Sequence, residues 1–210
     1  MITDVKPWDA IHRERAALAV DLGGLSDEQW QTRSLCGDWT VQQTLGHMTA
    51  AASTNPPKWM ARFAATGFRF DALIEKDIAS QTAAGPEQTL ARFRAIESSN
   101  GHPPGPVDSW LGETLVHAED IRRPLGIAHD YPVDAATRLA DFYTRSNLLI
   151  GSKRRVADLT LRATDADWSS GSGPEVAGPA MAIVLAMTGR AVALDELDGD
   201  GVDALRARME

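Results

Sequence analysis

Through most of the chain the apolar residues recur every three to four positions, the period of a helix with one buried face, and beyond residue 155 they alternate with polar ones. Ile11, Ala16, Leu18, Ala19 and Leu22 predict a helix from Trp8 to Leu22 that Gly23-Gly24 stops. Thr40 followed by Gln43 is a capping box, and Val41, Thr44, Leu45 and Met48 form a stripe with His47 beside it. Asn55-Pro56-Pro57 interrupts the chain, helix resumes from Trp59 to Phe70, and a further helix is expected from Phe70 to Ala84. After Gly85-Pro86, residues Glu87 to Ser98 are amphipathic, and the proline- and glycine-rich stretch Gly101 to Pro106 is a loop. Asp108 or Ser109 is then expected to cap a helix carrying Trp110, Leu111, Leu115, Val116 and Ile121 that ends before Pro124-Leu125-Gly126. Another helix, Asp134 to Gly151, completes an all-helical region.

From Arg155 the pattern through Val156, Leu159, Leu161 and Ala163 is that of a strand. Trp168 to Pro174 is turn-rich, and Glu175 to Gly178 is a second short strand. Pro179 opens an apolar helix through Thr188 that Gly189 closes, and a last helix runs from Val202 to Arg208. The expectation is a mainly α protein, with a helical region over 1–152 and a small α+β unit over 153–210.

Composition narrows the function classes. The chain has 210 residues, 43% of them hydrophobic, enough for a substantial core. The charge sum, 21 basic minus 29 acidic residues, is −8 with no block of like charge, which speaks against binding nucleic acid through its backbone. No run approaches the roughly 18 to 20 apolar residues that span a bilayer, and the N-terminal stretch has no apolar signal core. A cytoplasmic protein without membrane partners is therefore expected. The single cysteine, Cys36, excludes an internal disulfide and reads as an inert packing residue.

Candidate chemistry lies in three side chains. Glu113 and His117 stand four apart, so they differ by only about 40° around a helix and can reach one point. A solvated Glu–His pair has the same spacing, but here Leu111, Leu115 and Val116 flank it, and a buried carboxylate needs a partner. His47, beside its own apolar stripe, suits either a hydrogen-bonded core histidine or a third ligand. Three protein ligands leave a coordination position open, as a catalytic metal requires. His12, His102 and His129 are read as surface residues.

The segment Cys36-Gly37-Asp38-Trp39-Thr40-Val41 running into Leu45-Gly46-His47, together with Glu113-Thr114-Leu115-Val116-His117 and Asp120 through Gly126, closely resembles the mycothiol-dependent maleylpyruvate isomerase family of the DinB-like superfamily. The C-terminal stretches Thr164 to Trp168, Gly171 to Pro174, Gly189-Arg190 and Leu197 to Gly201 are similar to family sequence too. The resemblance implies a DinB-like up-down four-helix bundle followed by the α+β unit. It also implies a divalent metal, usually zinc, held by His47, Glu113 and His117, and it makes mycothiol the thiol cosubstrate. A functional arginine of the C-terminal unit falls on Arg190. Arg122 and Arg123 are candidates for a cofactor or substrate carboxylate, or for the helix C-terminus.

On that resemblance the chain is expected to be a monomeric or homodimeric enzyme that activates a low-molecular-weight thiol toward an electrophilic small molecule, as a cis-trans isomerase or an S-transferase. The alternatives are a DinB-like metal-binding protein without catalysis, and a hydrolase that uses metal-bound water.

Overall fold

A computed structural model describes residues 6–148 and 150–209. The α-helices are α1 (Pro7–Asp21), α2 (Asp27–Trp30), α3 (Val41–Ala52), α4 (Pro56–Ala65), α5 (Phe70–Thr82), α6 (Pro86–Arg94), α7 (Val107–Arg122), α8 (Val133–Arg145), α9 (Ser152–Arg155), α10 (Ala180–Met187) and α11 (Val202–Arg206). Three strands, β1 (Thr160–Ala163), β2 (Ser169–Gly171) and β3 (Glu175–Gly178), form one sheet. The chain folds into two compact units, residues 6–129 and 130–209 within the described range.

In the first unit α1 packs on α7, α7 on α3, α3 on α6 and α6 back on α1, and α5 lies against α3 and α6. Ile11, Leu18, Leu45, Phe93, Leu111, Leu115 and Ile121 fill the interior. Burying each aliphatic side chain contributes about 1.5–3 kcal/mol. The Thr40–Gln43 capping box forms in both directions, and Ser26–Gln29 makes a second one at the head of the short α2, which periodicity had not resolved. Asn55 does more than interrupt the chain. It caps α4 by accepting from the Lys58 amide, with Pro56 in the first turn where no amide is needed.

The cap expected of Asp108 or Ser109 does not form. α7 starts at Val107, with Pro106 in the cap position and no side-chain cap. Asp108 instead sits in the first turn, where its charge suits the positive end of the helix dipole.

In the second unit β1 lies between β2, antiparallel with Leu161 opposite Ser170, and β3, parallel with Leu161 opposite Val176. β2 falls in the stretch read as turns, because its Ser-Ser-Gly has no apolar alternation to betray it. The apolar α10 is buried against α8 and the sheet, and Gly189 ends it at φ +89. α8 stops at Arg145, short of the expected Gly151, and Leu149 of that expected helix lies outside the described residues. Ala136 of α8 packs with Ala163 and Ala180, and Trp168 donates its indole N–H to Asp141 at 3.2 Å. α8 thus belongs with the sheet, and the unit begins at 130, earlier than the change of pattern near 152 that composition marks.

One close approach fixes how α3 meets α5. A Cβ added at Gly46 would stand 2.8 Å from Thr82 Cγ2, and Thr82 is held by its hydroxyl's bond to the Ile78 carbonyl at 2.9 Å. Alanine should gain about 1 kcal/mol in helix propensity and lose about 1–3 kcal/mol to overpacking. Gly46→Ala is therefore expected to lower the urea midpoint. In a Thr82→Ser background, which keeps the hydroxyl and removes the methyl, the same change should be neutral or stabilising; equal loss in both backgrounds would show that this contact is not the constraint.

Candidate metal centre

His47 comes from the middle of α3, Glu113 and His117 from α7, and the packing of those two helices brings the three together. One donor atom from each lies within 4.8 Å of the other two. His47 Nε2 is 3.4 Å from Glu113 Oε1, and His117 Nε2 is 3.6 Å from Glu113 Oε2. The imidazoles meet nearly edge to face, at 86° with centroids 5.2 Å apart. Glu113 Oε1 is buried, and its contact with His47 falls short of good hydrogen-bond geometry.

The second nitrogen of His117 is already engaged. Its Nδ1 lies 2.8 Å from Asp120 Oδ2, and Asp120 is wholly buried. With Nδ1 donating to Asp120, Nε2 is the nitrogen left facing Glu113 and is the one that a cation would engage, the arrangement in which a carboxylate orients a metal-binding imidazole. Asp120 is held in turn by the chain before α3, since its carbonyl accepts from the Leu35 amide at 3.0 Å. That loop is closed by the Ser34 amide on the Trp39 carbonyl, and the Ser34 hydroxyl pairs with Thr44 of α3 at 2.8 Å. It carries Trp39 to His47, with ring centroids 5.0 Å apart. Cys36, expected to be an inert packing residue, is half-buried in the same loop and grouped closely with His117 and Asp120.

Charge distribution follows from this packing. Burial alone pushes the Glu113 carboxyl up, but the positive charges of His47, His117 and Arg15 outweigh it and bring the pKa down to about 2. Burial likewise pushes His117 down, whereas Glu113, Asp120 and Cys36 raise it well above its ordinary value. Arg15, on α1 and 3% exposed, is itself lowered to about 10 by burial, and it donates to the Ser99 carbonyl at 2.9 Å. Asp120 and Arg15 had no role in the sequence reading. Asp120 was legible as the residue one turn beyond His117, but nothing in the chain marks Arg15 as buried.

The donor set fits a divalent cation. Two imidazole nitrogens and a carboxylate converge, one carboxylate oxygen has no hydrogen-bond partner, and His₂Glu is a ligand set that binds zinc with a position left open.

The other candidates are elsewhere. Arg122 is completely buried and bonded through Nε to Asp21 of α1 at 2.8 Å, so it ties α7 to α1 rather than presenting a cation to a ligand. Arg123 contacts Glu119 at 2.6 Å, and its side chain is 23% exposed. Arg190 belongs to the second unit and donates to the Thr188 carbonyl at 2.9 Å. His129, read as a surface residue, meets the buried Glu14 at 2.7 Å.

Residues 11–100 match the family model described as the mycothiol maleylpyruvate isomerase N-terminal domain. That match covers 90 of the chain's 210 residues. His47 lies inside the matched segment, and Glu113 and His117 lie beyond it. Among solved structures, the mycothiol-dependent maleylpyruvate isomerase is similar with a TM-score of 0.61 and 16% identity, covering 92% of this chain and 91% of that one. A mutant of that isomerase with a histidine changed to alanine gives 0.59 and 17% over the same shares. At these identities the likeness establishes a common fold. No curated protein matches the chain.

Two outcomes follow from the site. Asp120→Asn should leave the ligands in place and weaken zinc binding by about 10–100-fold, the usual cost of losing such a partner; unchanged affinity in a competition titration would show that Asp120 does not orient His117. In metal-free protein, the lowered Glu113 stabilises the fold fully above about 4.5 and less as pH falls toward about 2. The raised His117 stabilises it fully below about 6.5 and less as pH rises through its folded value. Urea midpoints of metal-stripped protein should therefore peak between about pH 4.5 and 6.5 relative to a His117→Gln reference. A difference independent of pH would overturn this assignment.

Proposed function

We propose that this chain is a metal-dependent enzyme that uses mycothiol as a nucleophile toward a small electrophile, acting as a cis-trans isomerase of the maleylpyruvate isomerase kind or as a thiol S-transferase. The observation that carries the reading is the convergence of His47 and His117 on a buried carboxylate with an unsatisfied oxygen. The family-model match over residues 11–100 and the fold shared with a mycothiol-dependent isomerase support the thiol and the reaction class.

His47, Glu113 and His117 would hold the cation, taken to be zinc. A thiol has a pKa near 8.5 and is mostly protonated at neutral pH, and a dication in this site would bind it as thiolate. The chain's own residues prepare that chemistry. Glu113 contributes the only formal negative charge among the three ligands, leaving a net positive centre that attracts an anionic sulfur. His47 and His117, with a further contribution from Arg15, keep Glu113 ionised despite its burial. Asp120, accepting from His117 Nδ1, would leave Nε2 as the nitrogen offered to the cation. Trp39 lies beside His47, with ring centroids 5.0 Å apart. Arg190 is the candidate cation for a substrate carboxylate, and Arg123 is the better placed of the adjacent arginines for such a role, because Arg122 is sealed in the core.

The test is turnover of maleylpyruvate by zinc-loaded protein with and without mycothiol, in wild type and His117→Ala. Activity should require the thiol and fall at least about 100-fold in the variant, the scale of losing the group that positions the nucleophile. Full activity in the variant, or turnover that ignores the thiol, would overturn the proposal, the second result in favour of hydrolysis.

A further inference from the structure

The helical unit has an open cleft that shares no residue with the metal centre. It lies between α3, α4 and α5 and has a volume of about 390 Å³, inside the roughly 300–1,000 Å³ range of small-molecule sites. Each helix turns one face to it. Ala50 and Ser53 stand three apart at the end of α3, Arg62 and Ala65 three apart on α4, and Leu73, Asp77 and Ser80 recur at helical spacing on α5. Gly46, which packs on Thr82, precedes Ala50 by four positions, so this is the side of α3 that meets α5. His47 sits about 100° further round the helix, toward α7.

The floor of the cleft is apolar and its rim is charged. Leu73 and Ala50 are buried beneath it, and Ala65 closes one side. Two cations, Arg62 and Lys76, and one carboxylate, Asp77, line the rim, which leaves a net charge of +1. The cations are committed to different degrees. Arg62 pairs with Asp77 through one guanidinium nitrogen, and its remaining N–H donors are left over. Burial lowers its pKa, a cost that a second carboxylate beside it offsets. Lys76 is exposed and makes no ion pair among the described residues. The carbonyls of Ser80 and Gln81, which would repel an anion, already accept from Arg92 of α6, the second at 3.1 Å.

This charge pattern selects a ligand class. One negative charge neutralises the rim, a dianion overshoots it, and a cation adds to the excess already present. The contact of Asp77 with Arg62 shows a carboxylate seated at this guanidinium. The apolar floor in turn suits a ligand body that has lost its hydration. We propose that the cleft binds a small monocarboxylate, its charged end on Lys76 and the remaining donors of Arg62 and its apolar body on Ala50, Ala65 and Leu73. The site is independent of the metal and thiol chemistry, since it uses none of those residues.

The test is an amide NMR titration of zinc-loaded protein with benzoate, a monocarboxylate with an apolar ring. Saturable shifts should appear at Ala50, Ser53 and the segment from Leu73 to Gln81, while the amides of Glu113 and His117 stay in place. Benzyl alcohol keeps the ring without the charge, and inorganic phosphate has charge without an apolar body. Each should need about tenfold or more higher concentration for half-saturation, the scale of losing a charged hydrogen bond or the burial of two methylenes. Lys76→Met, which keeps the stem, should weaken benzoate by a similar factor. Asp77→Asn should tighten it, because that change releases Arg62 and removes the competing carboxylate, whereas a purely structural Asp77 predicts weakening.

Metal-free protein should give the same shifts on α5, so the result does not depend on zinc being bound. Shifts confined to α7 would put benzoate on the metal instead. That outcome, equal half-saturation by benzyl alcohol or phosphate, weaker binding in Asp77→Asn, or no saturable shift would each overturn the proposal.

Discussion

The burial of Glu113 is the constraint on which the helical unit turns. A carboxylate in that position is tolerable only if positive charge and donors surround it, since an unpaired buried charge costs several kcal/mol. The surrounding elements supply them. α3 brings His47, the next turn of α7 brings His117, and α1 brings Arg15. The groups that lower the Glu113 pKa thus come from three helices, so the electrostatics of the site and the packing of the bundle are one problem.

The second layer of contacts keeps that arrangement from relaxing into simple hydrogen bonds. Asp120 accepts a hydrogen bond from His117 Nδ1, and the Leu35 amide donates to the Asp120 carbonyl. With Ser34 bonded to Thr44, the loop before α3 is anchored to both ligand-bearing helices and sets Trp39 beside His47. Glu113 Oε1 stays without a hydrogen bond although His47 Nε2 lies 3.4 Å away. Proteins rarely leave such an atom buried without a use for it.

The same reasoning separates the arginines. Arg122 and Arg123 are adjacent in sequence and equally plausible as ligand contacts on charge alone. On a helix they point about 100° apart. One faces α1 and is consumed by Asp21, and the other stays near the surface with Glu119.

Much of this was legible in the chain. The capping box at Thr40, the three-to-four spacing of apolar residues, the four-residue interval from Glu113 to His117 and the glycine after α10 are local signals, and each produced the element or face it predicted. Local rules failed where the deciding contact is distant in sequence. β2 exists because β1 offers it a partner, α8 joins the sheet because Ala163 and Ala180 cover Ala136, and α7 begins at Val107 without the cap its polar residues advertised. The sequence by itself determined which residues offer metal-ligating donor atoms and which faces carry them, because those depend on residue type and helical period. Only the tertiary structure decided that His47 meets the α7 pair, that Arg15 is buried beside them and that His12 and His102, read as surface residues, join Trp8 and Trp110 in one aromatic cluster. Those are relations between helices, and no spacing within one helix encodes them.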